Sequence, residues 1–358
     1  MRGLYIHVPF CKKKCPYCDF YSVTDLSLIQ PYLSSLKREM ECYKKKVDTV
    51  YIGGGTPSLL EEKICDILEW VKKRFLWERG ECTVEGNPES LSKDLMRLWK
   101  KCGVNRISMG VQSFDKCDLA FLGRIHSPGD ARKAIDDALS VFENVSVDVI
   151  AGLPHHTPGD VLKTLKEIVR YGVQHISVYM LTIEDGTEFG ERVRKGELVP
   201  LSEEGEREIF VEVCDFLEGE GYRHYEVSNF ALPGYECRHN LNYWLLGEYI
   251  GLGPSAHSFT GSIRHANLPS LERYLRGEYQ GFLEEVGGKR REEFLMLGLR
   301  LTSGVPLRDF ELLFGPLAPL EDMLGKYLEV KNSRLRLTRS GMLLLNQVVV
   351  EILRRYEG

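Results

Sequence analysis

The chain has 358 residues, of which 43% are hydrophobic and 28% are charged, as in an ordinary folded protein. A net charge of −5 argues against a surface built mainly to hold nucleic acid, so we expect no nucleic-acid partner. No stretch approaches the ~18 apolar residues that a membrane span needs, and the amino terminus has no signal-peptide pattern. We therefore expect a cytoplasmic protein without a membrane span.

The first half of the chain alternates short apolar strands with amphipathic helices. The predicted strands have the sequences GLYIHV, DTVYIGG, CTVEG, RISMGV, VSVDVIAG and HISVYML. The helices between them have predicted N-caps at Ser92 and Ser127 and predicted ends at Gly103 and Gly172. Six such units predict a parallel sheet with helical crossovers, and the pattern fits either an incomplete barrel or a doubly wound sheet.

Polar residues and glycines mark the ends of four of these strands, although strands buried on both faces should be apolar throughout. The residues concerned are Gly54, Gly55, Thr56, Glu85, Gln112 and Asp148. Any one of them could simply cap a helix or bond a loop. Because the carboxyl ends of parallel strands meet at one edge, four such ends favour one shared site.

Three cysteines, Cys11, Cys15 and Cys18, directly follow the first strand. In a reducing compartment, clustered cysteines more often bind a metal or react than form disulfides. Three thiolates suit an iron–sulfur cluster with one iron open to a small molecule, and zinc is the alternative. We expect most of the other cysteines to be small buried apolar residues.

The patterns divide the chain into three predicted segments: a barrel domain over residues 1–230, a connecting region over 231–285 and a smaller domain over 286–358. In the last segment, two helices precede a hairpin that turns at Asn332 and Ser333, and a closing helix follows. This order is typical of a winged-helix-like α+β domain. Such domains often bind DNA, but the acidic charge makes a lid or interaction role at least as good an interpretation.

The sequence CKKKCPYC matches the CxxxCxxC motif of the radical S-adenosylmethionine (SAM) superfamily. The stretches YIGGGTPS, VEGNPES, GVQSF, LGRIH and DVIAGLP extend the resemblance to the coproporphyrinogen dehydrogenase group over nearly the whole chain. The resemblance implies an incomplete parallel (β/α)6 barrel. It also implies that Cys11, Cys15 and Cys18 hold a [4Fe–4S] cluster whose fourth iron is chelated by SAM, which the reduced cluster cleaves.

The same resemblance implies which residues bind SAM: Tyr5, Tyr17, Gly54, Gly55, Thr56, Glu85, Gln112, Arg124 and Asp148. Glycines let a ligand approach the backbone closely. Glu85 could bind the SAM amino group or a ribose hydroxyl, and Arg124 could hold a carboxylate.

Two features resemble the HemW-type haem chaperones rather than the dehydrogenase itself. The dehydrogenase has a further cysteine just past its third ligand, where this chain has Asp19 and Phe20. The dehydrogenase also carries a segment before the cluster strand, whereas only four residues precede Tyr5 here.

The sequence HNLNYW matches the HNxxYW motif of the HemW-type proteins and implies haem as a third cofactor, bound by His239, Tyr243 and Trp244. An imidazole can ligate haem iron, and aromatic rings suit a porphyrin face. Cys237 and His257 are alternative axial ligands. The absence of CxxCH argues against covalent haem attachment.

The predicted function is that of a haem chaperone that delivers haem to acceptor proteins. The alternatives are an oxygen-independent coproporphyrinogen III dehydrogenase and a zinc-stabilised binding module. Lys12, Lys13 and Lys14 lie beside the cluster cysteines and form either a solvated loop or a docking site for an acidic electron donor such as a flavodoxin.

Overall fold

A computed structural model describes residues 1–286 and 290–356 of the chain. Within these residues, one large sheet contains the strands β1 (Arg2–Val8), β2 (Thr49–Gly54), β3 (Glu81–Gly86), β4 (Arg106–Gln112), β5 (Val145–Ala151), β6 (His175–Met180), β7 (Arg223–Glu226), β8 (Asn229–Ala231), β9 (Glu248–Leu252), β10 (His257–Thr260), β11 (Ile263–Asn267) and β12 (Gln280–Glu285). Their order across the sheet is β12-β11-β10-β9-β1-β2-β3-β4-β5-β6-β8-β7.

The strands β1 to β6 are parallel and lie side by side in chain order. A doubly wound sheet reverses its strand order at a switch point. The consecutive order of β1 to β6 therefore identifies a barrel and excludes the doubly wound sheet. The barrel does not close, because β9 pairs with the outer edge of β1 and β8 pairs with the outer edge of β6. The incomplete (β/α)6 barrel is thereby confirmed.

The helices that accompany these strands are α1 (Ile29–Glu41), α2 (Lys63–Phe75), α3 (Lys93–Cys102), α4 (Lys116–Phe121), α5 (Pro128–Leu139), α6 (Pro158–Tyr171), α7 (Glu188–Arg194) and α8 (Glu203–Gly219), with short 3-10 helices at Leu26–Leu28, Pro57–Leu60 and Pro88–Ser90. Ser92 and Ser127 cap α3 and α5 with their side chains, as predicted. Gly103 and Gly172 end α3 and α6 in the left-handed conformation.

One hydrophobic core joins the helices to the sheet. The longer helices bury an apolar stripe, as in α2, where Ile64, Ile67, Leu68 and Val71 are buried while Asp66 and Glu69 between them face water. The strands supply the opposing layer with side chains such as Ile52.

The remaining elements are α9 (Arg238–Trp244), α10 (Leu271–Leu275), α11 (Arg290–Gly298), β13 (Val305–Pro306), α12 (Leu307–Phe314), a 3-10 helix (Ala318–Met323), β14 (Leu328–Lys331), β15 (Arg334–Leu337), α13 (Arg339–Leu343) and α14 (Leu345–Tyr356). The hairpin β14–β15 turns at Asn332 and Ser333, both with positive φ, as the sequence predicts. Phe310, Leu335 and Ile352 belong to a second, separate core. The predicted smaller α+β domain is confirmed, whereas the exact boundaries at 230 and 285 stay predictions.

The scattered cysteines differ from the expectation that most are buried apolar residues. Cys65 of α2 and Cys102 of α3 form a disulfide, with 5.4 Å between their Cα atoms. Two more, Cys42 and Cys117, are exposed. The expectation was wrong because apolar patterning cannot reveal that two helices pack with their cysteines face to face. Among the described helices, none combines the length and apolarity needed to cross a bilayer.

Candidate functional site

The loop that follows β1 carries Cys11, Cys15 and Cys18, each half-buried and outside any disulfide. The backbone N–H of Cys18 donates to the carbonyl oxygen of Cys15 at 3.1 Å, so the loop turns tightly. Thr56 donates its hydroxyl to Cys11 Sγ at 3.6 Å, and Arg124 Nη1 lies 3.7 Å from Cys15 Sγ. Donors beside sulfur stabilise the thiolate, which is the form that binds iron.

The three sulfurs fit a positively charged centre. Burial raises the pKa of the Cys18 thiol to about 11, and Cys15 and Cys11 nearby add to the rise. Such a thiol ionises with difficulty among its neighbours, but a bound metal deprotonates it. Soft thiolate ligands on one short loop therefore suit an iron–sulfur cluster.

A cavity of about 440 Å³ opens beside this loop, a size within the usual range of small-molecule sites. With the exception of Tyr5, it is lined by all the residues predicted to hold the cluster and SAM: Cys11, Cys15, Tyr17, Cys18, Gly54, Gly55, Thr56, Glu85, Gln112, Arg124 and Asp148. The strand ends therefore meet at one edge of the barrel, as their sequence pattern suggests.

Glycines let β2 pass close to the end of β1 at this cavity. Gly54 has a φ of +111°, and a Cβ there would lie 2.6 Å from His7 Nδ1. A Cβ on Gly55 would lie 2.6 Å from the carbonyl oxygen of Phe10. Because a side chain at either position would collide with its surroundings, glycine is required for this arrangement of backbone beside the cavity.

Glu85 is held in place by two donors at the end of β3. The Tyr51 hydroxyl donates to Oε1 at 2.6 Å, and the N–H of Gly54 donates to Oε2 at 3.1 Å. Burial raises the pKa of Glu85 to about 7, and the nearby Asp148 contributes to the rise. A cationic ligand in the cavity would relieve this cost of ionisation, which suits the amino group of SAM.

Arg124 is a half-buried cation whose direction is fixed by hydrogen bonds. Its Nη2 donates to Asn87 Oδ1 at 2.6 Å and to the carbonyl oxygen of Gly110 at 3.0 Å. Although burial works against the charge, Tyr17 and Cys15 raise the pKa of Arg124. The guanidinium therefore stays charged beside the cysteine loop, where it could hold a carboxylate.

Gln112 and Asp148 bring further polar atoms to the cavity. Gln112 has a φ of +65°, and its Oε1 is buried without a hydrogen-bond partner among the described residues. Ser108 donates its hydroxyl to Asp148 Oδ1 at 3.3 Å, and burial raises the pKa of Asp148. A buried acceptor without a donor on the wall of a cavity indicates a ligand that supplies one.

The two predicted tyrosines lie in different places. Tyr17 lines the cavity beside the cysteines, and burial raises its pKa. Tyr5 lies in the middle of β1, and its hydroxyl bonds His7 Nδ1 at 3.0 Å. Its side chain lines a second cavity instead, and its contact with SAM stays a prediction.

The second cavity measures about 640 Å³ and is predominantly aromatic. The aromatic rings that line it belong to Tyr5, Phe20, Tyr21, Tyr243, Trp244, Tyr249 and Phe259. Asp19 and Phe20, which follow the third cluster cysteine, line both cavities. The cysteine loop therefore separates the two cavities and contributes to each of them.

Two residues that line the second cavity, Trp244 and His257, carry polar groups without hydrogen-bond partners among the described residues. The guanidinium of Arg300 covers the Trp244 ring at 4.4 Å from its centroid, yet Trp244 Nε1 is buried without a partner among the described residues. The ring of His257 is exposed, and no side-chain hydrogen bond within the described residues engages it. The cavity thus combines aromatic faces and a free imidazole.

His239 does not line this cavity, although it belongs to the same sequence motif as Tyr243 and Trp244. Its Nδ1 bonds Thr49 Oγ1 at 2.8 Å, and its Nε2 bonds the Tyr243 hydroxyl at 2.7 Å. A Cβ on Gly3 would lie 2.9 Å from the imidazole. Gly3 and Thr49 begin or nearly begin their strands, so His239 lies at the amino-terminal end of the barrel, away from the cysteine loop.

Both ring nitrogens of His239 are therefore engaged, and burial lowers the pKa of this histidine to about 3. Ligation of haem iron would require the ring to break these hydrogen bonds and leave its buried position. In this structure His239 orients the Tyr243 hydroxyl, and its role as an axial ligand stays a prediction.

The sequence patterns did not predict two residues that position the groups at the first cavity. Asn87 orients Arg124 and Tyr51 orients Glu85, and both residues lie in the quoted motifs VEGNPES and YIGGGTPS. Tyr51 is two residues before the glycine run, on the same face of β2 as Gly53. Because side chains alternate between the two faces of a strand, this position could have indicated Tyr51 as a partner for the Glu85 carboxylate.

Comparisons with known proteins agree with this geometry. The model of the radical SAM superfamily matches residues 5–168, and that of the HemN C-terminal domain matches residues 289–344. The heme chaperone HemW of Mycobacterium tuberculosis is 38% identical over 323 residues, which cover 85% of this chain and 83% of the relative. The heme chaperone HemW of Bacillus subtilis is 35% identical over 372 residues, which cover 97% of this chain and 98% of the relative.

The chain belongs to the HemW family of radical SAM proteins. The resemblance stated from the sequence is thereby confirmed. A solved structure of coproporphyrinogen III oxidase (HemN) from Escherichia coli, described as a radical SAM enzyme, matches with a TM-score of 0.82. The match covers 98% of this chain and 89% of that chain at 21% identity, and it establishes a common fold. Membership of the superfamily implies a [4Fe–4S] cluster and SAM.

Proposed function

We propose that this protein binds a [4Fe–4S] cluster, SAM and haem, and that it delivers haem to acceptor proteins in the cytoplasm. One observation carries the proposal: an aromatic cavity of about 640 Å³ shares Asp19 and Phe20 with the cavity beside the three cysteines. The curated relatives at 35–38% identity, which are named heme chaperones, support it.

The cluster and SAM would occupy the first cavity, where they supply the one-electron chemistry of the superfamily. Cys11, Cys15 and Cys18 would hold the cluster. Glu85 would accept from the SAM amino group, and Arg124 would stay fixed by Asn87 toward the cysteine loop. The backbone at Gly54 and Gly55, with Tyr17, Thr56, Gln112 and Asp148, would complete the pocket.

Haem would occupy the second cavity. The rings of Tyr243 and Trp244 offer flat apolar contact to a porphyrin. For an axial ligand, His257 has a free imidazole at the cavity, whereas His239 would first have to leave its hydrogen bonds to Thr49 and Tyr243.

The test compares haem binding by His239→Ala, His257→Ala and Trp244→Ala with that of the wild type, after anaerobic loading of the cluster. We expect His257→Ala to shift or weaken the Soret band most, because it removes the free imidazole. His239→Ala should loosen binding only through Tyr243. His265→Ala is the matched control, because His265 lies on the neighbouring strand β11 and does not line the cavity.

The outcome also separates the function from its alternative. Haem-loaded wild type should transfer haem to an apo-acceptor, and the most weakened variant should not. Formation of protoporphyrinogen IX from coproporphyrinogen III, with no haem transfer, would instead identify a dehydrogenase. If none of the three substitutions changed haem binding, haem would not bind in this cavity.

We also propose that the basic loop docks an acidic electron donor such as a flavodoxin. Lys13 and Lys14 lie at the mouth of the first cavity, next to the cysteines. Replacement of Lys12, Lys13 and Lys14 by Gln should slow reduction of the cluster by the protein donor and flatten its salt dependence. Reduction by dithionite should not change. An unchanged rate with the protein donor would reject this docking site.

A further inference from the structure

Two histidines and an aspartate meet outside both cavities. Asp118 lies on α4, and His155 and His156 lie in the loop between β5 and α6. His155 Nε2 is 2.9 Å from Asp118 Oδ1, and His156 Nε2 is 3.2 Å from Asp118 Oδ2. One ligand atom from each residue lies within 4.8 Å of the others, so three donors converge on one point.

Hydrogen bonding within this cluster does not account for the buried ring of His156. Its side chain is 2% exposed, and neither ring nitrogen has a hydrogen-bond partner among the described residues. Although Nε2 is close to Asp118 Oδ2, the two atoms are not aligned as donor and acceptor. A buried polar group without a partner is costly, so an imidazole in this position indicates a missing electrophilic partner.

Asp118 is prepared to act as an anionic ligand. Ser113 donates its hydroxyl to Oδ2 at 2.6 Å, which fixes the carboxylate from behind. Such outer hydrogen bonds to a ligating group are typical of metal sites.

We propose that Asp118, His155 and His156 bind one divalent metal ion of the zinc class. Two imidazole nitrogens and one carboxylate oxygen favour zinc and its neighbours over magnesium or calcium. Three protein ligands leave one position for water, and His155, whose side chain is 49% exposed, lies on the solvent side of the cluster.

The ion would join two segments that support the cysteine loop. Phe121, on the same helix as Asp118, packs against His155 and, at 4.8 Å between ring centroids, against Phe189. The N–H of Phe189 donates to the carbonyl oxygen of Pro16, within the cysteine loop, at 2.9 Å. The ion would therefore tie α4 to the loop before α6 and stabilise the packing behind the cysteine loop.

The experiment must separate this site from the cluster cysteines, because free thiolates are also good zinc ligands. Cluster-loaded protein is titrated with Zn²⁺ against a chromophoric chelator under anaerobic conditions, and bound metals are counted by mass spectrometry. We expect one zinc per chain in addition to the cluster iron. A Cys11→Ala/Cys15→Ala/Cys18→Ala variant should keep this zinc.

Substitutions in the cluster give the decisive comparison. His156→Ala and the nearly isosteric Asp118→Asn should each weaken zinc binding by at least roughly tenfold, since even outer-shell changes have effects of 10–100-fold. They should also abolish any rise of the melting temperature with zinc. His265→Ala is the control and should bind zinc like the wild type. Absence of bound zinc, or equal affinity in folded Asp118→Asn protein, would overturn the proposal.

Discussion

Replacement of Glu85 by Gln should stabilise the ligand-free protein above neutral pH and weaken SAM binding. The Glu85 carboxylate is held by Tyr51 and Gly54, and burial raises its pKa to about 7 from the ordinary 4.5. Glutamine keeps both contacts, because its oxygen can accept from Gly54 N–H while its amide donates to the Tyr51 hydroxyl. The substitution therefore removes the charge and leaves the packing intact.

The magnitude follows from the pKa. At about 1.4 kcal/mol per pKa unit, the rise corresponds to an upper limit of about 3 kcal/mol. Because the carboxylate borders an open cavity, water reduces this cost, and we expect a gain in unfolding free energy of about 2 kcal/mol. A raised pKa favours the folded state only while the group is protonated. The gain should therefore be absent below about pH 4.5, grow as the pH rises and be complete above about pH 7.

The assay is urea unfolding of ligand-free protein at pH 5 and pH 8, with Glu212→Gln, an exposed position on α8, as the control. SAM affinity of cluster-loaded protein, measured by calorimetry, should fall roughly ten- to a hundredfold, since a charge-assisted hydrogen bond is lost. A gain that is equal at both pH values would refute the electrostatic reasoning. Unchanged SAM affinity would remove Glu85 from the SAM site but leave the stability argument standing.

Three further substitutions test individual structural features. Gly54→Ala should destabilise the protein by about 1–3 kcal/mol and weaken SAM binding, because its φ is positive and its Cβ would collide with the His7 ring; Gly186→Ala, with open space around it, should be nearly neutral. Cys102→Ser should lower the unfolding free energy of oxidised protein by about 4 kcal/mol, and dithiothreitol should lower that of the wild type equally; wild type insensitive to the reductant would contradict the disulfide with Cys65. Ser127→Ala should cost about 1 kcal/mol in urea unfolding, because α5 loses its capping box, and a cost near zero would show that the cap is dispensable.

Local sequence patterns predicted the elements of the barrel and the region of the first cavity. Strand and helix periods depend on a few neighbouring residues, so β1 to β6 and the caps at Ser92 and Ser127 were found in place. The residues at the strand ends meet because parallel strands share one direction. Family resemblance was needed to attach Arg124 to the same site, since a lone arginine carries no such information.

Local patterns could not predict where the side chains lie when residues of one motif point into different parts of the structure. HNLNYW forms the helix α9, which buries His239 at the amino-terminal end of the barrel and turns Trp244 toward the second cavity. The motif identifies the residues but does not predict which of them faces a cavity. Successive helical residues point in directions about 100° apart, and only the packing of α9 against β1, β2 and β9 decides where each side chain lies.

The sequence by itself determined which segments of the first half become strands and helices, where the cysteine loop begins and to which family the chain belongs, but it did not predict α9 and the strands β9 to β12. Residue patterns left a barrel and a doubly wound sheet open until the family resemblance implied the barrel, which the strand order confirms. The tertiary structure alone decided that Cys65 meets Cys102 and that Asp118 meets His155 and His156. The physical reason is the range of the interactions. Element type follows from backbone sterics and side-chain spacing within a few residues. Contacts between distant residues depend on the whole path of the backbone between them, which the packing of the core determines.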